Sequence, residues 1–213
     1  MEALNTYIDY TILKPGTTLY QVETLCRTAV ERQYAAVCIS PSFVADVKEI
    51  FSIEENPPAI CTVVGFPHGM HTSATKLFEC EACVEMGASE LDLVANNALA
   101  KNGRWDDYSQ EIGSFSRWCS ERNITSKLII ETSLLTENEM AMICELVKET
   151  PLDFVKTSTG FVGEGAQLEH VRFLRQLLPE RYRIKASGGI RDVERAKQFI
   201  QAGAARIGTS TAL

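Results

Sequence analysis

Short apolar runs and longer amphipathic ones alternate along this chain without a break. The apolar runs fall at 6–10, 35–40, 59–66, 90–94, 127–131, 153–157, 182–186 and 206–208. Most are continuous, such as Ile60-Cys61-Thr62-Val63-Val64 and Leu128-Ile129-Ile130. Strands covered on both faces read this way, which predicts a parallel sheet with helices outside it. Between the runs stand helix signals. Thr17-Thr18 opens one amphipathic stretch, Thr136 and Glu139 are spaced as a capping box, and Asp192 precedes another. Met86-Gly87-Ala88 and Ala202-Gly203-Ala204 read as a helix end, a left-handed glycine and a new strand. Eight strands and seven crossovers in 213 residues predict a (β/α)8 barrel in one domain over 1–213. The alternative, a doubly wound open sheet, lacks its usual Gly-x-Gly-x-x-Gly. The chain stops at Leu213, just past the eighth strand, so no closing eighth helix is expected.

Charge and composition narrow the function. The chain has 21 Lys+Arg against 28 Asp+Glu, a net charge of −7 with no dense basic run, which argues against nucleic acid as a partner. No apolar run approaches the ~20 residues that span a bilayer. The start, Met1-Glu2-Ala3-Leu4-Asn5, lacks the features of a signal peptide. Seven scattered cysteines fit free thiols in a cytosolic protein better than a disulfide framework. The one metal-like spacing is Cys80-Glu-Ala-Cys83, with His68-Gly-Met-His71 upstream. The cysteines fall in a predicted helix over 73–86, where an i,i+3 pair faces the core together, so no metal site is assigned.

A barrel of this kind does its chemistry at the C-terminal ends of its strands. The polar residues there are Asp9, Asp92, Glu131, Lys156 and Lys185. Lys156 and Lys185 end adjacent apolar strands. Burial and mutual repulsion both push a lysine pKa down, which predicts a neutral amine able to form a Schiff base. The competing reading is a structural ion-pair network with a carboxylate such as Asp92 or Glu131. Asp92, in Glu90-Leu91-Asp92-Leu93-Val94, shares a face with Glu90 and Val94. It can relay protons, hold a lysine as ammonium, or simply be a buried hydrogen-bonded carboxylate. Gly188-Gly189 after the seventh strand and Gly208-Thr209-Ser210-Thr211 after the eighth form a phosphate-binding pattern of close backbone N–H groups. Thr157-Ser158-Thr159-Gly160 adds hydroxyl and amide donors. His68 and His71 are read as surface residues, and His170 as mid-helix.

Seven segments resemble deoxyribose-phosphate aldolases, in that family's order. They are Ile8 to Pro15, Val37 to Pro41, Val64 to Gly69, Glu90 to Val94, Lys127 to Thr132, Phe154 to Gly160 and Lys185 to Arg191. Lys156-Thr-Ser-Thr-Gly160 and Lys185-Ala-Ser-Gly-Gly-Ile-Arg191 are the most specific. The resemblance implies a TIM barrel and cleavage of 2-deoxy-D-ribose 5-phosphate to glyceraldehyde 3-phosphate and acetaldehyde, without metal or cofactor. It implies Lys156 as the Schiff-base lysine, Lys185 as the second lysine and Asp92 as the proton-relay acid. Thr159, Gly160, Gly188, Gly189, Gly208 and Ser210 would hold the sugar phosphate, and a homodimer is implied. Another lysine aldolase, a non-catalytic sugar-phosphate binder and a zinc-dependent aldolase are the competing functions.

Overall fold

The structure is a computed structural model that describes residues 4–213; the N-terminal reading at residues 1–3 lies outside them. Eight parallel strands close into a barrel in chain order. They are β1 (Ile8–Ile12), β2 (Ala36–Ile39), β3 (Ala59–Val64), β4 (Glu90–Val94), β5 (Thr125–Ile129), β6 (Phe154–Lys156), β7 (Arg183–Ser187) and β8 (Arg206–Thr209). β8 pairs directly with β1, Asp9 opposite Gly208. Among the described residues no helix follows β8, and the barrel closes through the strands alone. No helix there is long and apolar enough to cross a membrane.

Among the described residues eight α-helices surround the strands. They are α1 (Leu19–Glu31), α2 (Val44–Ile50), α3 (Ser73–Met86), α4 (Asn97–Lys101), α5 (Trp105–Ser120), α6 (Glu137–Lys148), α7 (Leu168–Leu177) and α8 (Val193–Gln201). Their starts follow the local chemistry. Thr18 and Gln21 form a capping box on α1, Thr136 and Glu139 another on α6, and Asp192 caps α8. Gly87 ends α3 in the left-handed region, as the sequence pattern predicts. The crossover from β4 to β5 holds two helices, α4 and α5, and neither was expected from periodicity.

Strand limits move by two residues at three places, one of them β3, which ends at Val64 rather than at residue 66. Residues 4–7 form a 3-10 turn, so β1 starts at Ile8 rather than Thr6. The apolar run of β5 extends past its strand, which ends at Ile129; Glu131 adopts φ 50° and turns the chain away.

Two apolar cores result. The larger lies between the outer strand faces and the helices, from Ile8 and Val22 round to Phe199 and Ile207. The smaller is Leu13, Ala36, Cys38, Cys61 and Val63, on the β1–β3 side of the barrel interior. Helix ends anchor the outer layer, so Thr136→Ala, which removes the α6 capping hydroxyl, should cost about 1 kcal/mol. Thermal unfolding should show a drop of about 2–4 °C for a chain of this size.

Candidate active site

Strand alternation turns Asp9, Glu90, Asp92, Lys127, Lys156, Lys185 and Arg206 into the barrel, where they meet as one ion-paired network. Asp92 is its hub. Its Oδ2 accepts from Lys156 Nζ at 2.7 Å and Lys185 Nζ at 2.8 Å. Its Oδ1 accepts from Lys127 Nζ at 2.8 Å and from the Cys61 thiol at 3.1 Å. Four donors use the full acceptor capacity of a carboxylate. The network then spreads across the barrel. Lys127 also reaches Glu90 at 2.6 Å, Lys185 pairs with Asp9, and Arg206 bridges Asp9 and Glu90. Asp92, Lys127 and Lys185 are fully buried and Lys156 is 2% exposed, so these charges have only one another and their neighbours as solvent.

The proton equilibria follow from this crowding. Burial alone would raise the Asp9 carboxyl, but the charges of Lys185, Arg206 and Lys127 outweigh it and hold it at about 2. Burial likewise opposes the charged form of Asp92, and the ammonium groups of Lys127, Lys156 and Lys185 override it, leaving Asp92 well below the usual carboxylate range. Burial would lower Lys185, yet Asp9 and Asp92 carry it above the ordinary lysine range. The expectation that like-charge crowding depresses both lysines therefore fails at Lys185. Two carboxylates within ion-pairing distance act more strongly on it than the neighbouring ammonium groups do. Lys127 is raised well above the lysine range against its own burial, chiefly by Asp92.

A metal has candidate donors here. The ligand atoms of Cys38, Cys61 and Asp92 lie within 4.8 Å of one another, as do those of Asp9, Cys61 and Glu90. A cation already stands against Cys61, Glu90 and Asp92: the Lys127 ammonium, 3.2 Å from Cys61 Sγ. Cys80 and Cys83 are buried on α3, while His68 and His71 are exposed in the loop before it.

The predicted phosphate residues sort into three placements. Gly160, Gly188 and Gly189 lie in the loops after β6 and β7, all with positive φ. These loops interlock: a methyl group on Gly188 would stand 2.9 Å from Gly165 Cα and 3.3 Å from Gly160 Cα. Gly208 is buried inside β8, where a side chain would meet Ser187 Cβ at 2.7 Å and Lys185 Cε at 3.4 Å. Its missing side chain makes room for the lysine stem. Ser210 is exposed just beyond. Thr159 has its donors engaged, since its amide and hydroxyl both donate to Glu131 Oε2, at 2.9 and 2.5 Å. Burial raises the Glu131 carboxyl, and those two bonds offset part of the rise. Thr159 and Glu131 thus hold the loop that follows Lys156.

Four contributors lay outside the residues singled out from sequence. Lys127 and Arg206 stand at inward positions of β5 and β8, and strand alternation with Ile129 or Gly208 is the signal that could have marked them. Lys76 and Glu111 form a second buried pair at 2.8 Å. Lys76 also donates to Val94 O, and Glu111 accepts from the Asn96 amide, so the pair fixes the end of β4 just past Asp92.

The sequence pattern of the DeoC/LacD family aldolases matches residues 4–212. A deoxyribose-phosphate aldolase of Staphylococcus carnosus is 43% identical over 204 residues, covering 96% of this chain and 91% of that protein. A solved structure described as QR15, an aldolase, superposes with a TM-score of 0.91 at 37% identity, covering 100% of this chain and 93% of the other. The deoxyribose phosphate aldolase of Aeropyrum pernix, described as having a unique tetrameric structure, gives 0.90 at 30% identity, with 98% and 87% covered.

Two outcomes follow from the network. Asp92→Asn leaves three buried ammonium groups short of a counter-charge and should cost about 3–5 kcal/mol, read as a lowered denaturant midpoint. For pH, Asp9 and Asp92 titrate below their ordinary value of 3.8 when folded, so their contribution is present above it and lost as pH falls toward 2. Lys185 titrates above its ordinary 10.5, so its contribution is whole below that value and lost only as pH rises further. Denaturant midpoints across pH should therefore show an acid limb below about pH 4 that Asp9→Asn reduces.

Proposed function

The chain belongs to the DeoC/LacD aldolase family, and on that premise we propose that it reversibly cleaves 2-deoxy-D-ribose 5-phosphate to D-glyceraldehyde 3-phosphate and acetaldehyde through a Schiff base on Lys156. The observation that carries this reading is that Lys156 and Lys185 share one oxygen of Asp92, at 2.7 and 2.8 Å, inside a barrel that shields them from water.

In the cleavage direction, the Lys156 amine adds to C1 of the open-chain sugar and water leaves, forming an iminium ion. A base takes the proton from the C3 hydroxyl, and the C2–C3 bond breaks. Its electron pair moves into the iminium, giving an enamine, while C3 departs as the aldehyde of glyceraldehyde 3-phosphate. Protonation of the enamine at C2 and hydrolysis release acetaldehyde and restore the amine. The imine itself is the electron sink, so the carbon chemistry draws on a side chain of this protein.

Asp92 Oδ2, 2.7 Å from Lys156 Nζ, is the near acceptor for the proton that the nucleophile sheds. Asp92, held ionised by the Lys127 and Lys185 ammonium groups while Lys156 is an amine, acts as relay and positioning group. Lys185 stays charged and keeps Asp92 and Asp9 in place. Gly160, Gly188, Gly189 and Ser210 supply the backbone and hydroxyl surroundings for the phosphate, with Gly208 giving room to the Lys185 stem and Thr159 bracing the loop after β6 through Glu131. Fixing the phosphate end orients C1 toward Lys156, an orientation term that reaches several kcal/mol in well-placed reactions.

The partner is thus a small sugar phosphate and its aldehyde products, handled by one catalytic domain. Exposed Phe78, Tyr20 and Ile53 support self-association as a homodimer. The seven free cysteines support a reducing, cytoplasmic setting.

Sodium borohydride added with acetaldehyde should fix a two-carbon adduct on Lys156, located by peptide mass mapping. Lys156→Ala should lose both the adduct and turnover. An adduct on another lysine would reassign the nucleophile.

A further inference from the structure

The barrel mouth has two chemically different rims. On one side, the loops after β7 and β8 present Gly188, Gly189 and Ser210, which offer backbone amides and a hydroxyl. On the other, the loop after β3 places Phe66 against the inner apolar cluster that contains Cys38, Cys61 and Val63. Phe161, five residues beyond Lys156, meets Phe66 edge to face with ring centroids 5.1 Å apart. The two rings come from loops separated by β4 and β5. Their contact therefore bridges the mouth on the side of the strands that carry Asp92 and Lys127.

Contacts link this bridge to the reacting nitrogen. Lys156 bonds Asp92, Asp92 accepts the Cys61 thiol, and Cys61 belongs to the cluster under Phe66. Both rings are held in place. The Gly65 amide just before Phe66 donates to Glu79 at 2.8 Å, and the Phe161 amide donates to Thr159 Oγ1 at 3.1 Å. Edge-to-face packing is a favoured geometry for such a pair, and neither ring is fully buried, Phe66 being partly covered and Phe161 exposed.

We propose that Phe66 and Phe161 set the donor specificity of the aldol reaction, by walling the C2 side of the aldehyde bound to Lys156 with hydrocarbon. This rests on the Lys156 imine reading above. A two-carbon donor whose C2 is a methyl group loses nothing against that wall. A donor with a hydroxyl on C2 gives up its water there and finds no acceptor or donor in exchange. The rings thus select against a C2 hydroxyl on the donor, while the opposite rim receives the polar acceptor.

The test compares initial rates of bond formation to glyceraldehyde 3-phosphate with acetaldehyde or glycolaldehyde as donor. The native enzyme should favour acetaldehyde by on the order of 10²-fold, the range an apolar wall achieves against an added hydroxyl. Phe161→Ser should reduce that preference by about fivefold or more, and Phe161→Leu, which keeps hydrocarbon at the same place, should hold it within about twofold. Phe161 is 47% exposed, so both variants should fold, checked by their unfolding midpoints. Borohydride trapping with acetaldehyde runs alongside. An unchanged donor ratio in Phe161→Ser with Lys156 still trapped overturns this inference alone, as does an equal fall in the Leu and Ser variants. Absence of a Lys156 adduct in the native protein overturns the imine reading and the inference with it.

Discussion

A single carboxylate inside the barrel, Asp92, draws three lysines from three different strands to within 2.8 Å. Buried ammonium groups are tolerable only with such a partner, so the placement of β5, β6 and β7 around β4 is tied to it. Through Lys185 and Arg206 the same tie extends to Asp9 on β1 and to β8, which is the seam where the barrel closes. A one-residue slip of any of these strands would turn its charged residue outward and strand the others. Register and active-site geometry are therefore one constraint. The price of that arrangement is stability given up to desolvation, since a hydrocarbon core of equal volume would need no such pairing.

The interior is divided by chemistry as well as by strand. Ala36, Cys38, Cys61 and Val63 line the β2–β3 side with small apolar groups, while β4 to β8 and Asp9 of β1 carry the ions. Small side chains on one side leave room for long lysine stems from the other, and the absent side chain of Gly208 serves the same end beside Lys185. Thus the lysines stretch into the centre rather than folding back toward the helices. Lys76 and Glu111 form a separate pair outside this ring and secure the backbone at Val94 and Asn96.

Much of this was legible in the chain. Apolar runs, most of them continuous, marked all eight strands because both faces of a barrel strand are buried, and Thr136, Asp192 and Gly87 announced helix ends through local backbone chemistry. Lys156, Lys185 and Asp92 stood out as ions in apolar strands, and the structure brings them to one point. What escaped depended on distance. Lys127 looks like an ordinary strand-opening lysine until Asp92 and Glu90, both more than thirty residues earlier, are seen around it. The pKa of Lys185 was read in the wrong direction because two of its strongest neighbours, Asp9 and Asp92, lie far off in sequence. The α5 helix escaped because its inner face holds Glu111, Gly113 and Ser116, which blur an apolar stripe. Thr159 looked like a phosphate donor because nothing local reveals that Glu131 occupies it.

The interlocked glycines after β6 and β7 have a geometric corollary. A side chain on Gly165 or Gly188 would run into the other's backbone, and one on Gly160 would stand against Gly188 Cα. The spacing between the loops after β6 and β7 is thereby set by the main chain, as in a caliper with its jaws locked, while Asp92 holds the Lys156 nitrogen. If the phosphate sits on that loop, the enzyme gauges the carbon count of its sugar, and a ligand one carbon longer or shorter would present the wrong atom to the amine.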